Sequence, residues 1–365
     1  MLRGTSKSFR ISRSGLTGLR YQAPKVFLST SRIAGATEGS LKSFVPKPSK
    51  SLGETTIENN IKSDTNRLSK TLTKFWEKVD AVHNKDLNQY EVQLDGKTLK
   101  TPLGFPLSLP AEKKQLAHLV AHEWANLPDL KVKINALPLT SLSSRAIDLY
   151  NVHNNENIDG EMISKVGNVD DIKVNLLRYL DTDTCLIFTI LDEYEGQLRS
   201  KQDELYFPLI KEFEDYFTAY AKRKGNLLKN DNERVTLNFL DCETDGLSGN
   251  RQSITTQNIV MSWMNDLSMY ELVALERAIL TAKSFLCGAS LLRSNCSNET
   301  RMKELYQVNK SSPADHYHKT VEELVELGNL EIIFQTEEWG EVEDTHDVDK
   351  VDWLRHLSSS ALLTY

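Results

Sequence analysis

No stretch of about 18 apolar residues occurs in the 365-residue chain, so no segment is suited to cross a bilayer as a helix. A secretory signal is missing as well, because the N-terminal region has no short apolar h-region. Cysteine is scarce: Cys185, Cys242, Cys287 and Cys296 are the only four, and no two form a CxxC pair. That excludes a zinc ribbon and a disulfide framework and reads as unpaired thiols in a reducing compartment. The loops that cradle phosphate, GxxxxGK[ST] and GxGxxG, do not occur, nor does GxSxG, nor a cysteine with an obvious activating histidine. No period of 20 to 50 residues repeats. The usual equipment for catalysis is therefore absent, and no cofactor is expected.

What is present is a sharp division of charge. The overall net charge of −7 hides a first 50 residues with ten Lys or Arg and one acid, Glu38. The other 315 residues carry 34 bases and 50 acids. Arg3, Arg10, Arg13, Arg20 and Arg32 stand among Ser, Thr and Gly, the composition of a mitochondrial transit peptide. Residues 1–45 are assigned to this removable segment, which implies delivery to the mitochondrial matrix. Residues 46–72, with Pro46 and Pro48 in a Ser/Lys/Asn mixture, are assigned to a flexible lead-in. A basic tail for nucleic acid is the competing reading of the first segment. The acidic body argues against nucleic acid, whose phosphates need a cationic face, and suits a basic protein partner.

Residues 73–137 read as a small β-rich domain with one helix. The loose alternation over 75–81 predicts a strand. In YEVQLDGKTLK, Tyr90, Val92 and Leu94 share a face, and Asp95-Gly96 is a two-residue hairpin signal. FPLSL at 105–109 is a further strand. Pro110 then opens a helix to about residue 127, with Leu116, Leu119, Val120 and Trp124 on its apolar face. A short extended return is expected at 130–134. Residues 138–365 read as an α-helical domain of six or more helices: one opened by Pro138, one ending near Tyr179, and one over 198–223. Another is opened by the capping box Ser268-x-x-Glu271 and runs through the apolar stretch 272–292. Two more start at Pro313 and at about Val351. The Asn/Asp/Gly-rich stretch 151–171 is expected to be partly loop. The fold class is α+β, a small N-terminal β domain followed by a larger helical one.

Two clusters invite chemistry. LRYLDTDTCL places Asp181 two residues before Asp183, the arrangement by which haloacid-dehalogenase-like phosphatases supply a nucleophile and an acid/base. Here the fifth position is Cys185 and no βα alternation surrounds it. The bland alternative is turn and cap chemistry by short polar side chains. Trp124 has the same kind of bland reading, a core anchor of its helix. The second cluster, EEWGEVEDTHDVD at 337–349, has seven acids and no base. Glu343-x-x-His346 could feed a metal, but a di-iron site needs such a pair from each of two helices and only one is present. Trp339 before Gly340 suggests a helix end, with the indole against the body and carboxylates toward water.

These motifs together resemble the mitochondrial F1-ATPase assembly chaperones that bind the α subunit of ATP synthase before it joins β. The matching stretches are YEVQLDGKTLKTP (90–102), AHEWANL (121–127), PLTSLSSRAID (138–148), YLDTDT (179–184), the long helix after Ser268 and EEWGEVEDTHD (337–347). Where that family has Trp-Asp-Pro in the helix after YLDTDT, this chain has Tyr206-Phe207-Pro208. The resemblance implies a two-domain protein without enzymatic activity, monomeric when free, that keeps unassembled F1 α subunits soluble until β replaces it. It marks Glu343, with Trp339, Glu338 and Asp347, as partner-binding residues, and Trp124, Asp181 and Asp183 as parts of the structural motif.

Overall fold

The hairpin written into the sequence by Asp95-Gly96 forms, and Asp95 does more than turn the chain. Both residues have left-handed backbones (φ 49° and 77°), as a type I′ turn requires. The Asp95 carboxylate also accepts the backbone N–H groups of Glu77 and Lys78 at 3.1 and 2.8 Å, tying the residues just before the first strand to the turn. In the computed structural model the described residues are 74–127, 136–155, 160–230, 232–246, 248–308, 317–341 and 346–365. The assigned transit segment, the lead-in, the return at 130–134 and the start at Pro313 lie outside them.

Strand β1 (Val79–Asn84) pairs antiparallel with β2 (Gln89–Leu94), in register from Val79 opposite Leu94 to Asn84 opposite Gln89. The other edge of β2 takes β3 (Lys97–Thr98) and β4 (Ser108–Pro110). The first strand thus starts four residues later than the alternation predicted. Trp76, read as part of that strand, is buried instead, and its indole donates to the carbonyl of Trp124 at 3.3 Å. Helix α1 (Lys114–Ala125) follows a short 3-10 turn, Ala111–Lys113, so it begins later than Pro110. It buries Leu116, Ala117, Val120, Ala121 and Trp124, the i, i+3/i+4 stripe of one helix face, between the sheet and the helices.

Helix α2 (Pro138–Asn154) has proline in its first turn, where the missing N–H costs nothing. The stretch expected to be loop is largely helical: α3 (Gly160–Val166) and α4 (Val169–Arg178) occupy it. Asn168 opens α4 by accepting the N–H groups of Asp170 and Asp171, and Val166, Val169 and Ile172 bury the inner side. Next comes β5 (Ile187–Phe188), then α5 (Gln197–Lys224), with Pro208 within it, then β6 (Leu240–Asp241), parallel to β5. Helix α6 (Ile254–Asn265) is capped by Ser253.

The capping box at Ser268 and Glu271 is formed and opens α7 (Met269–Ala282). The apolar run beyond it is not one helix. Lys283 takes a left-handed backbone (φ 52°) and Ser284 caps a new helix, α8 (Phe285–Asn295). Hydrophobicity favours burial of the whole run, but a single rod would carry it past the core. The break folds α8 back on α7, and Gly288 permits the approach: a Cβ there would lie 2.7 Å from Ile279. Short helical turns at Glu299–Arg301 and Met302–Tyr306 precede α9 (Val321–Trp339), which has its own capping box, Thr320 with Glu323. The last helix, α10 (His346–Thr364), is longer than expected and packs on α2, α7, α8 and α9. Helix α7 is the centre, with Leu272, Val273, Ala274, Leu275, Ala278, Ile279 and Ala282 all buried.

Three charged knots sit in this core. Arg145 grips Glu276 with two bonds of 2.9 Å and also donates to the Val166 carbonyl. Glu271 receives Arg301 and the Tyr306 hydroxyl. Arg293 donates to Glu212 and lies between the rings of Tyr216 and Tyr317, 4.1 and 4.0 Å from their centroids. Each of these cations is met by a carboxylate, and Arg293 also by aromatic faces, as a charge drawn out of water requires.

Candidate functional site

The AHEWANL stretch anchors the sheet to the helices. Trp124 is 8% exposed, its ring lies edge-on to Trp76 at 5.2 Å, and its indole donates to the Thr140 hydroxyl at 3.0 Å. The neighbouring Glu123, which pattern reading passed over, caps α2 from outside. Its carboxylate accepts the N–H groups of Leu139 and Thr140 at 2.7 and 2.8 Å and the Thr140 hydroxyl at 2.7 Å. Burial raises its pKa above the usual value, against those three donors, which pull it down. The signal was available: a helix opening on Pro-Leu-Thr has no capping side chain of its own, so an acceptor must come from elsewhere.

YLDTDT is a structural staple. Asp183 is fully buried. One carboxylate oxygen accepts the N–H of Cys185 at 2.8 Å, opening a 3-10 turn, and the other accepts the N–H of Leu286 at 2.9 Å, at the start of α8. Burial pushes its carboxyl up to about 6, while bonds from Ser284, Leu286, Cys185 and Phe285 oppose the shift. Asp181 accepts the N–H of Gln252 at 2.8 Å. A phosphatase needs both carboxylates on a substrate phosphate, whereas Asp183 has no route to solvent and both its oxygens are taken. Nothing in this geometry supports the phosphatase reading. Cys185 lies beside Cys287, Sγ to Sγ 3.7 Å, and that contact together with burial holds its thiol well above its usual pKa.

The acidic stretch begins where α9 ends. Gly340 (φ 85°) stops the helix by bonding back to the Thr336 carbonyl, as the Trp-Gly pair predicted. The expected placement of the indole is wrong: Trp339 is 73% exposed. Its nearest aromatic neighbour is Tyr194, 6.4 Å away between centroids, which also lies 5.8 Å from Phe334. The helix runs out past the core, so its last turn, with Glu337 and Glu338, projects into water. Glu343 and the side chain of Asp347 lie outside the described residues, so the structure brings together Trp339 and Glu338 alone of the four expected partner-binding residues.

Sequence reading missed the loop that approaches this helix end. Residues 189–196 leave β5 and return to α5 through two consecutive left-handed residues, Tyr194 and Glu195 (φ 50° and 55°), and Gly196 (φ 78°). Polar bonds fix it at several points. The N–H of Thr189 donates to Gln202 at 2.8 Å, its hydroxyl bonds Glu193, and its carbonyl accepts Arg199 at 2.9 Å. Arg199 also donates two hydrogen bonds to the Asp241 carboxylate, at 2.9 and 2.7 Å, which keep the Asp241 carboxyl below its usual pKa. A signal existed in the segment ILDEYEG, apolar and acidic residues without either a helical or a strand period before a glycine.

Comparison with known proteins fits this arrangement. The model of the family described as ATP12 chaperone protein matches residues 73–214. The chain is 41% identical to the mitochondrial protein ATP12 of Saccharomyces cerevisiae over 313 residues, 86% of this chain and 90% of that one. It is 33% identical to the mitochondrial protein atp12 of Schizosaccharomyces pombe over 273 residues, 75% and 76% of the two chains. The crystal structure of Atp12 from Paracoccus denitrificans shares the fold at a TM-score of 0.53 and 20% identity, covering 80% of this chain and 97% of that one. With two relatives above 30% identity aligned along most of its length, the chain belongs to the ATP12 chaperone family.

Proposed function

We propose that this protein is the chaperone that holds the unassembled α subunit of the mitochondrial F1-ATPase in the matrix, working by binding and without turnover. The observation that carries the reading is the acidic, solvent-facing end of α9. A tryptophan 73% exposed beside Glu338 adds nothing to this chain's own core. Exposed aromatics with charges around them are suited to contact another protein, since tryptophan anchors and complementary charge dominate such interfaces. Newly delivered F1 subunits expose apolar surface meant for their neighbours, and that surface aggregates unless covered. The relatives' names place them in mitochondria, in keeping with the basic, acid-poor first 50 residues here.

The test is co-purification of the protein, from residue 46 onward, with free F1 α, free F1 β and assembled F1. Retention of free α alone is expected. Within the same site, Glu343→Lys should cost about 2–5 kcal/mol of α binding, as a charge-paired interface acid does, with little change in melting temperature. Glu337→Lys and Glu341→Lys serve as controls for a merely solvated surface, where an exposed acid is worth about 0–1 kcal/mol. Binding of β or assembled F1 in preference to α would overturn the choice of client.

A further inference from the structure

The loop at 189–196 also borders an apolar face that the chain leaves uncovered. Phe188 is fully buried, but the two rings against it are not: Phe207 is stacked on it at 4.8 Å and Phe239 lies edge-on at 5.2 Å, and each is 40% exposed. Two residues beyond Phe188 the loop presents Ile190 and Leu191, 44% and 52% exposed. These four side chains come from three separated parts of the sequence, joined by the β5–β6 pairing and by the bond from Leu191 N–H to Glu243 at 3.0 Å. Large apolar groups scattered singly over a surface need no account, whereas a half-exposed pair of packed rings beside an anchored loop that presents two more apolar side chains does.

Charge around this face is one-sided. Asp192, Glu193 and Glu195 lie in the loop, Asp241 ends β6, and Glu243 and Asp245 follow it. Arg199 is already committed to Asp241 and Asp203, and Lys201 to Glu204. Among the described residues, Asp192, Glu195 and Asp245 have no ion pair.

We propose that Ile190, Leu191, Phe207 and Phe239 form a docking face for an apolar segment of the client flanked by Lys or Arg. It is separate from the helix end at Trp339 and acts with it as a two-point grip. Apolar contact supplies the binding energy and the acids set the register, while the polar anchors spare the loop the cost of ordering on contact. The loop is therefore a preformed element, and the client is the part that adapts. The identity of the client rests on the function proposed above, but the face itself is defined by chemistry, so the two can fail separately.

The test uses the protein from residue 46 onward, Ile190→Ser with Leu191→Ser, and Asp192→Lys. Both variants alter exposed side chains and should keep the parent's melting temperature. Two readouts are taken: binding of free F1 α, and suppression of aggregation of reduced lysozyme, a basic unfolded client. The double serine variant should lose at least tenfold in both, and Asp192→Lys should lose severalfold in low salt, with the gap closing at high salt. A parent that ignores α yet protects the basic client, with the loss in the double variant, keeps this inference and sinks the choice of α. A double variant equal to the parent in both assays overturns the inference, as does a parent that acts on neither client. A parent that sediments as a dimer, with the dimer lost in the double variant, gives the face to a second copy and also overturns it.

Discussion

Replacing Asp183 with alanine removes a carboxylate that ties Cys185, two residues on, to Leu286, 103 residues further along the chain than Asp183 itself. Both donors are buried backbone N–H groups, and alanine leaves each without an acceptor. An orphaned buried donor costs about 1–3 kcal/mol, so the loss should be about 3–5 kcal/mol once partial relaxation is allowed. A chain of this size should then melt lower by roughly 5–8 °C. Asp183→Asn keeps one acceptor but turns an NH2 group toward the other N–H, and about 1–3 kcal/mol should go. The difference from the parent also depends on pH. The Asp183 carboxyl is pushed up to about 6 in the folded chain from an ordinary value of 3.8, so the folded state holds its proton more tightly than the unfolded one. The stability this contributes is fully present below about pH 4 and is lost as pH rises to about 6. The amide of Asp183→Asn does not titrate. The parent's advantage over it should therefore be largest near pH 4, shrink through that window and be constant above it. Urea denaturation of parent, Asp183→Asn and Asp183→Ala at pH 4.5, 5.5 and 7.5 measures all of this. An alanine variant within about 0.5 kcal/mol of the parent would refute the staple, since that is the spread of ordinary surface changes. A parent-minus-asparagine difference that grows with pH would refute the sign.

Three further outcomes follow from the geometry. Trp124→Ala should cost about 3–5 kcal/mol by leaving a cavity at the contact with Trp76, and Trp124→Phe about 1 kcal/mol for the lost bond to Thr140; thermal melting of both checks the ranking. Arg145→Ala should cost about 3–5 kcal/mol because Glu276 stays buried without its partner, while Arg145→Met with Glu276→Leu should recover most of that in denaturant titrations. Removing residues 1–45 should leave the melting curve unchanged and abolish uptake by isolated mitochondria; normal uptake of the shortened chain would end the targeting assignment.

The parts of this architecture that could be read from the sequence are those fixed within one turn or one helix. Asp95-Gly96 and Ser268-x-x-Glu271 act over two to four residues, so their spacing is their mechanism. Thr320-x-x-Glu323 is of the same kind and was within reach. What escaped is decided by contacts distant in sequence. The break at Lys283 depends on the Asp183 carboxylate waiting to receive Leu286, and no property of the run 272–292 announces it. Strand β1 starts at Val79 because Trp76 has a buried place beside Trp124, 48 residues away. Of the candidate site, the acidic helix end with its terminating Gly340 was legible. The outward indole and the loop carrying Tyr194 were not, because exposure is what remains after the rest has packed.

The ammonium of Lys113 donates to the carbonyls of Leu363 and Thr364, at 2.9 and 3.3 Å, across some 250 residues of chain. A polypeptide that emerges amino end first, from a ribosome or through a membrane pore, delivers the lysine early and its acceptors almost last. Until then α10 has not docked, and the flanks of α2, α7, α8 and α9 that it covers stand open to water. For most of its own delivery this chaperone is therefore a client, with the same exposed apolar flanks it is built to shield in others. Any stop that cuts the message short by a single helix leaves it in that condition permanently, so the shortest defective products should be no more hazardous to the cell than those that are nearly whole.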